Sequence, residues 1–518
     1  MTLTTYAGKH VVILGLARQG TALARFFVRA GAQVTISDLA SADQLSGPLT
    51  ELDGTTVRLV LGSHPIELLD DCDLLCLSGG VPPQIPLVEA ARRQGIPLSN
   101  DTILTIEHSP APAIGITGSS GKTTTTTLVG LMLNAESGAM NDERGADRSF
   151  IAHHSSFSVW VGGNIGVPLV DRLAQIHAAD WLVLELSSFQ LELFDAAAGG
   201  RSISPHVAAI LNITPNHLDR HPSMAHYAAC KANIVRWQGM VPEESVDLPL
   251  DLATGGRRTE PVTVLGADDA LTGRWLRAGQ VEIDPGKGQE ARAFPLTGRV
   301  LGFGLGEPVG DGCWLDRNQV VLRIDGGEQS VLATDDILLR GRHNIQNVMA
   351  ACAIAGAAGV DPRAMAHVAS AFKGVEHRLE LVRELNGVRW YNDSIATAPE
   401  RAAAALHSFD EPIVLLAGGR DKKLPWDEFA RLAHQRVRVL IVFGEAAELI
   451  ERAVAVSSQG EDDLLLIRCD DLAAAVAAAA QAVQSGDVVL LSPGGTSFDA
   501  YKDFAARGEH FRSLVKAL

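Results

Sequence analysis

The chain has little cysteine, no long apolar run and a shortage of positive charge. Six cysteines in 518 residues (Cys72, Cys76, Cys230, Cys313, Cys352 and Cys469) make no disulfide framework. Cys72 and Cys76 sit in DCDLLCLSGG and read as small buried hydrophobes rather than a metal or redox pair. No uninterrupted apolar run reaches the ~18–20 residues that a membrane span needs. The opening MTLTTYAGKH lacks the basic, apolar and small-residue layout of a secretory signal. A cytoplasmic protein without a membrane span is therefore expected. Lys and Arg number 44 against 61 Asp and Glu, for a formal charge of −17. This argues against nucleic-acid backbones and anionic membranes as main partners. Small anionic ligands stay open, because local lysines and helix N-termini decide those. The 50 glycines follow no Gly-X-Y period, and 46% hydrophobic against 20% charged residues excludes a disordered chain. At roughly 150 residues per domain, about three domains are expected.

What is present is a repeated strand–helix beat. VVILG (11–15), a helix over 21–31 and QVTISD (33–38) open it, and strands recur near VRLVLG and DLLCLSG. This rhythm predicts a parallel sheet with crossover helices. It runs to about residue 107, where EHSPAPA supplies a Pro-rich joint. A second unit opens with AIGIT (113–117), a Gly turn and a helix, and continues through strands at 181–188 and 207–213 to an Ala-rich helix at 341–360. The polar stretches 135–158 and about 240–262 read as loop insertions. A third unit starts near Gly374, with strands at 389–393, 412–419, 437–444, 464–469 and 488–495. Its spacing is again doubly wound α/β, and no internal repeat is visible.

Four constellations carry chemistry. In GITGSSGKTTTTT (115–127) a strand ends in a Gly-rich turn, then Lys122, Thr123 and a helix follow. Phosphate binding needs this set: free backbone N–H groups, a helix N-terminus, a mobile cation and a hydroxyl for Mg²⁺. Ile116 stands where the full spacing has its first Gly, so the loop is a short variant, Gly118-Ser119-Ser120-Gly121-Lys122-Thr123. Second, GLARQG (15–20) follows a strand, with Asp38 ending the next one and Ala17 in place of the middle Gly. It fits a nucleotide diphosphate or a purely structural turn. Third, Glu185 is the single acid at the tip of an apolar strand, which suits a Mg²⁺ ligand or a solvated strand end. Fourth, His217, Asp219, Arg220 and His221 cluster after a strand, and Lys231 follows on a helix, where by itself it reads as a surface lysine.

Together GITGSSGKTT, VGGNIG (161–166), LELSSFQLE, NITPNHLDRHPSM, RGRHNIQN (340–347), EHRLE (376–380), Asn392-Asp393-Ser394 with Ala396-Thr397, and SPGGTSFDAYKDFAARGEHF (492–511) resemble the Mur ligases of peptidoglycan synthesis. The motifs fall in family order over nearly the whole chain. The resemblance implies an α/β protein of three domains: a Rossmann-like UDP-substrate domain (1–107), a central P-loop ATPase-type domain (108–373) and a Rossmann-like glutamate domain (374–518). It implies an ATP-dependent amide ligase that phosphorylates the carboxylate of UDP-N-acetylmuramoyl-L-alanine. The amine of D-glutamate then attacks the acyl phosphate. The alternative within the family adds L-glutamate to the same nucleotide. The implied partners are those three small molecules, with Mg²⁺ as cofactor and a monomeric chain.

By this resemblance Lys122, His217 and Lys231 are catalytic. Gly118, Ser119, Ser120, Gly121, Lys122, Thr123 and Thr124 cradle the ATP phosphates, and Asn344, Asn347, Arg378 and Asp393 complete the ATP contacts. Thr123, Glu185, His217 and Lys231 hold metal, Lys231 as a carbamate. Gly15, Arg18, Gln19, Asp38, Gly80 and Asn164 bind the UDP substrate, and Thr397, Lys422, Ser497 and Phe504 bind glutamate. One departure stands out: Ile395 occupies a position where the family's D-glutamate ligases usually have lysine. Arg420, Lys422 or Lys423 could supply the missing cation. A nicotinamide oxidoreductase would leave the phosphate loop, Glu185 and the histidine cluster without a role. A non-catalytic nucleotide-binding regulator would not need Lys122, Thr123, Glu185, His217 and Lys231 together. Folate-polyglutamate synthases share the loop logic, but the N-terminal domain and the SPGGTSFDAYKDF ending favour the muramoyl branch.

Overall fold

The computed structural model describes all residues except 1–2, 138–156, 217–219, 240–259, 285–290, 340, 423 and 459–463. The chain divides into two compact units, Met1–Ala371 and Phe372–Leu518. The first unit holds two main sheets. Five parallel strands make the N-terminal one, in the order Val57–Leu61, Gln33–Asp38, His10–Leu14, Leu74–Leu77 and Leu98–Ser99. The central strand is fully apolar after its first residue, as a strand covered on both faces must be. The helix after it begins at Arg18, three residues before the expected start, because Gly15 at φ +87° turns the chain at once. Gly20 lets that helix begin so close to the strand: a Cβ there would lie 1.9 Å from the Gly15 carbonyl oxygen.

The second sheet has nine strands, and its parallel middle sets the candidate site. Ala113–Thr117 runs between Val207–Ile210 and Trp181–Glu185, and Val159–Gly163 closes one edge. All four C-terminal ends point the same way, which is where α/β sheets bind ligands. The far side continues through Val262–Gly266, Arg299–Gly304 and Gly312–Asp316, then turns antiparallel in Gln319–Ile324 and Gly327–Ala333. Residues 292–333 hold strands that the sequence pattern does not announce. Their alternation is short and half-exposed, and it gains its meaning only from packing under the helix Arg342–Ala357. The expected strand over 181–188 stops at Glu185, because Ser187 caps the short helix Ser188–Glu192 with a reciprocal Gln190 bond.

Most of the insertion at 135–158 and nearly all of that at 240–262 lie outside the described residues. No helix among the described residues is long and apolar enough to cross a membrane. The second unit is a six-stranded sheet in the order Glu380–Leu385, Val388–Asn392, Val488–Gly494, Ile413–Gly418, Val437–Phe443 and Leu465–Arg468. Its first strand, also missed in the sequence, is antiparallel and the rest are parallel. Separate apolar clusters fill its two faces.

Candidate active site

The loop 118–121 joins the strand Ala113–Thr117 to the helix Lys122–Glu136. Gly121 sits at φ +81°, and a Cβ there would come within 2.2 Å of Asn347 Oδ1. Glycine is thus required by the turn and by the helix Arg342–Ala357 that packs on it. Asn212 clamps the loop from the neighbouring strand end: its Oδ1 accepts from the Ser120 N–H at 2.9 Å, and its carbonyl accepts from the Ser119 N–H at 3.0 Å. The Ser119 hydroxyl donates to the Thr214 carbonyl at 2.9 Å and contacts the Tyr227 hydroxyl at 3.0 Å. Asn212 opens the NITPNHLDRHPSM motif, but nothing in the sequence sets it apart. Its role needs the strand pairing that brings 212 beside 120.

Two lysines converge on this loop. Lys122 Nζ donates to the Gly118 carbonyl at 2.8 Å and to that of Ser119 at 3.4 Å. Lys231 Nζ reaches the same Gly118 carbonyl at 2.9 Å, and Thr117 Oγ1 at 3.2 Å. Lys231 is only 1% exposed, so the surface-lysine reading is wrong. Burial, and then the Lys122 charge beside it, push its amine well below the usual lysine range.

Glu185 lies in register with Ile116 on the adjacent strand and is 2% exposed. It is therefore no solvated strand end. Its Oε1 accepts from Asn164 Nδ2 at 2.9 Å, while its buried Oε2 has no hydrogen-bond partner. An orphaned buried carboxylate oxygen is costly unless a cation answers it. The donor is a hard oxygen, as Mg²⁺ prefers, and the Thr123 hydroxyl in the first turn of the loop helix is of the same type. Residues and metal therefore fit. Asn164 sits with Glu185 rather than with the N-terminal sheet where the other UDP candidates lie. His217 and Asp219 fall outside the described residues. Arg220 and His221 both pack on Phe189.

At the N-terminal sheet the structure gathers Gly15, Gln19, Asp38 and the Gly79–Gly80 turn. Gln19 Oε1 accepts from the Gly79 N–H at 2.6 Å, and its amide donates to Asp101 at 3.2 Å. Asp38 accepts from the Leu16 and Ala40 N–H groups at 2.6 and 2.8 Å, so its first task is to hold this turn. Arg18 is exposed at the helix start. Asp101 was missed: it is fully buried, and burial pushes its carboxyl up to about 6. On the central sheet's other flank, Asn347 donates to Asn344 Oδ1 at 3.0 Å. A cavity of about 450 Å³ opens on another face of the same helix start, lined by Asp268, Leu305, Gly306, Arg342 and Gln346.

In the second unit, Arg378 lies between two non-glycine residues in the left-handed region, His377 at φ 61° and Leu379 at φ 44°. Such residues cost on the order of 1–3 kcal/mol each and gather at functional sites. Asp393 restrains this turn, accepting from the Leu379 N–H at 3.2 Å and from the Ser492 hydroxyl at 2.8 Å. Lys422 Nζ donates to Thr397 Oγ1 at 3.2 Å. Ser497 is buried, and the Phe504 carbonyl accepts from Ser394. Arg507, 0% exposed, ties these segments together through Ser394 and the Gly495 carbonyl. It was missed because an arginine inside an amphipathic helix reads as solvated.

Burial pushes the Asp393 carboxyl up to about 7, against the pull of Ser492 and Arg378. The folded chain therefore holds this proton more tightly than the unfolded chain. The associated stability is full below about pH 4 and is lost as pH rises toward about 7. The Asp393→Asn variant escapes that loss. Its melting temperature should gain on wild type as pH climbs from 4 to 8, by the equivalent of about 4 kcal/mol. A difference that does not change with pH would show that the folded chain holds this proton no more tightly than the unfolded one.

A glycine loop at a parallel strand end, a helix N-terminus and a buried acid one strand away define a nucleotide-phosphate-binding α/β protein. The chain belongs to the Mur ligase family. The "Mur ligase MurD-like, N-terminal domain" pattern matches residues 9–100, the "Mur ligase middle domain" 116–245 and the "Mur ligase, glutamate ligase domain" 377–495. The chain is 40% identical over 514 residues to the UDP-N-acetylmuramoylalanine–D-glutamate ligase of Symbiobacterium thermophilum, covering 98% of each chain. It is 36% identical to the enzyme of that name from Pelotomaculum thermopropionicum, over 100% of this chain and 99% of that one. Among solved structures, the UDP-N-acetylmuramate–alanine ligase of Thermotoga maritima shares the fold at 17% identity. Its TM-score is 0.51, with 98% of this chain and 99% of that one covered.

Proposed function

We propose that this chain is an ATP-dependent ligase that joins D-glutamate to UDP-N-acetylmuramoyl-L-alanine in peptidoglycan precursor synthesis. The observation that carries the reading is the convergence of Lys122 and Lys231 on the Gly118 carbonyl beside the buried Glu185. A carboxylate is a poor electrophile, and phosphorylation gives it a leaving group. The transfer gathers several anions, so the site must supply positive charge and directed N–H groups. The 118–124 loop and helix start supply the N–H groups, and Lys122 meets the phosphates. Mg²⁺, held by Thr123, Glu185, His217 and a carbamate on Lys231, would screen phosphate charge.

The Lys231 environment supports that carbamate. A neutral amine is the form that attacks CO₂, and the buried, Lys122-flanked amine is biased toward it. Carbamate formation releases one proton and leaves an anion that Lys122 attracts. Asn344 and Asn347, in the first turns of the helix that packs on the phosphate loop at Gly121, take the nucleoside end of ATP. Gly15, Arg18, Gln19, Asp38 and Gly80 take the UDP moiety, with Asn164 at its phosphate end. Thr397, Lys422, Ser497 and Phe504 hold glutamate, and Arg378 and Asp393 act on ATP. The reading assigns domain boundaries near residues 107 and 373, a cytoplasmic location and a monomer.

The test is phosphate release with UDP-N-acetylmuramoyl-L-alanine, ATP and Mg²⁺, comparing the two glutamate enantiomers. Release with D-glutamate and not L-glutamate is expected, with Ile395 a tolerated variation. Release with L-glutamate alone would overturn the acceptor assignment and point to the region of Ile395. Release with neither would remove the assigned reaction.

A further inference from the structure

The turn and helix after the strand Val207–Ile210 carry a second cluster that phosphate chemistry does not use. His221 Nδ1 lies 3.0 Å from His226 Nδ1, and Cys230 Sγ lies 3.7 Å from that same His226 nitrogen. One donor atom from each of the three falls within 4.8 Å of the other two. His226 and Cys230 are four residues apart on the helix Met224–Arg236, so they share a face. The His221 ring is fixed from outside: it stacks on Phe189 at 5.1 Å, and its Nε2 meets Ser188 Oγ at 2.9 Å. Metal-ligating imidazoles are oriented in this way through their second nitrogen.

Glu192 adds an independent observation. It is 8% exposed, and its Oε2 has no hydrogen-bond partner. It lies within electrostatic reach of both His226 and Cys230. Its other oxygen faces Arg92 at 3.4 Å. A plain histidine–histidine hydrogen bond accounts for the two nitrogens. It does not account for a thiol drawn to the same nitrogen or for an orphaned carboxylate oxygen nearby.

We propose that His221, His226 and Cys230 form a binding site for a divalent cation of the zinc type, completed by Glu192 or water. Tetrahedral Zn²⁺, with bonds of about 2.0–2.1 Å to nitrogen and about 2.3 Å to sulfur, needs donors roughly 3.3–3.6 Å apart. The two pairs that include His226, at 3.0 and 3.7 Å, are close to that spacing, and the third pair, within 4.8 Å, closes by about an ångström on binding. Binding exchanges the Nδ1···Nδ1 hydrogen bond for two nitrogen–metal bonds and one sulfur–metal bond; the ring proton of that hydrogen bond moves to the Nε2 of its own imidazole, and the thiol proton passes to water. The thiolate donor separates this site from the one at Glu185, where carboxylate and hydroxyl oxygens suit Mg²⁺. Cys230 directly precedes Lys231, so the bound ion pins the helix that positions the buried lysine.

The test titrates Co²⁺, as a spectroscopic stand-in for zinc, into chelator-stripped, full-length, untagged protein. One equivalent should produce intense tetrahedral d–d bands and a thiolate-to-cobalt charge-transfer band. Zn²⁺ should bleach both, and excess Mg²⁺ should leave them. Cys230→Ala should lose the charge-transfer band. His226→Gln, at a half-buried position and with its helical circular dichroism retained, should weaken Co²⁺ binding at least about tenfold. No charge-transfer band in the wild type overturns the site, as does wild-type cobalt affinity in His226→Gln or displacement by Mg²⁺. None of these outcomes depends on the ligase assay.

Discussion

Replacing Lys122 by alanine lowers phosphate release by at least about a thousandfold while the fold survives. The side chain is the mobile cation of the loop, and its hydrogen bonds to the Gly118 and Ser119 carbonyls hold the ammonium over the helix N-terminus. No neutral residue replaces that charge when phosphate moves between oxygens. The structural cost is small. Lys122 is the first residue of its helix and half-exposed, and alanine is the best helix former. The like charge that depresses Lys231 also disappears. Initial rates and a thermal melt on the same preparation check both halves. Near-normal rates in a folded variant would remove the loop from the chemistry.

Lys231→Ala loses activity on the order of a hundredfold or more, and an added short-chain carboxylic acid such as acetate partly restores it. The reasoning is geometric. The residue is fully buried, so alanine leaves a cavity in contact with Thr117 and Gly118. A small carboxylate entering it would present oxygens where the carbamate would have stood. Stability should change little. Thr117 keeps its bond to the Leu186 carbonyl at 2.7 Å, and the cost of burying an amine is relieved. Wild-type activity in the unrescued variant would take Lys231 out of the metal site. A dead variant that acetate cannot revive would count against the carbamate.

The two lysines also mark how far a sequence can be read. Lys122 was legible because strand, glycine loop and helix are contiguous, and each residue's task follows from its neighbours. Lys231 was not. Its spacing on a helix gives no sign of which face is covered, and only the family resemblance singled it out. Glu185 stood between the two: the strand end was legible, but its burial was not. Asn212, Asp101 and Arg507 share a further reason for being illegible. Each acts on a segment distant in the chain: Asn212 on Ser120, Asp101 on Gln19, Arg507 on Ser394.

The amino-acid sequence alone determined the parallel α/β rhythm, the phosphate loop and the order of the motifs along the chain. These rest on short-range facts: the period of apolar residues, the freedom of glycine and the capping of helices. Tertiary structure alone decided which charged groups are taken out of water. It put two lysine amines on one carbonyl, left one oxygen each of Glu185 and Glu192 unanswered, and brought His221 against His226 and Cys230. The physical reason is that proton affinity and metal affinity depend on the surroundings of a group, and those are assembled from strands and helices far apart in the chain.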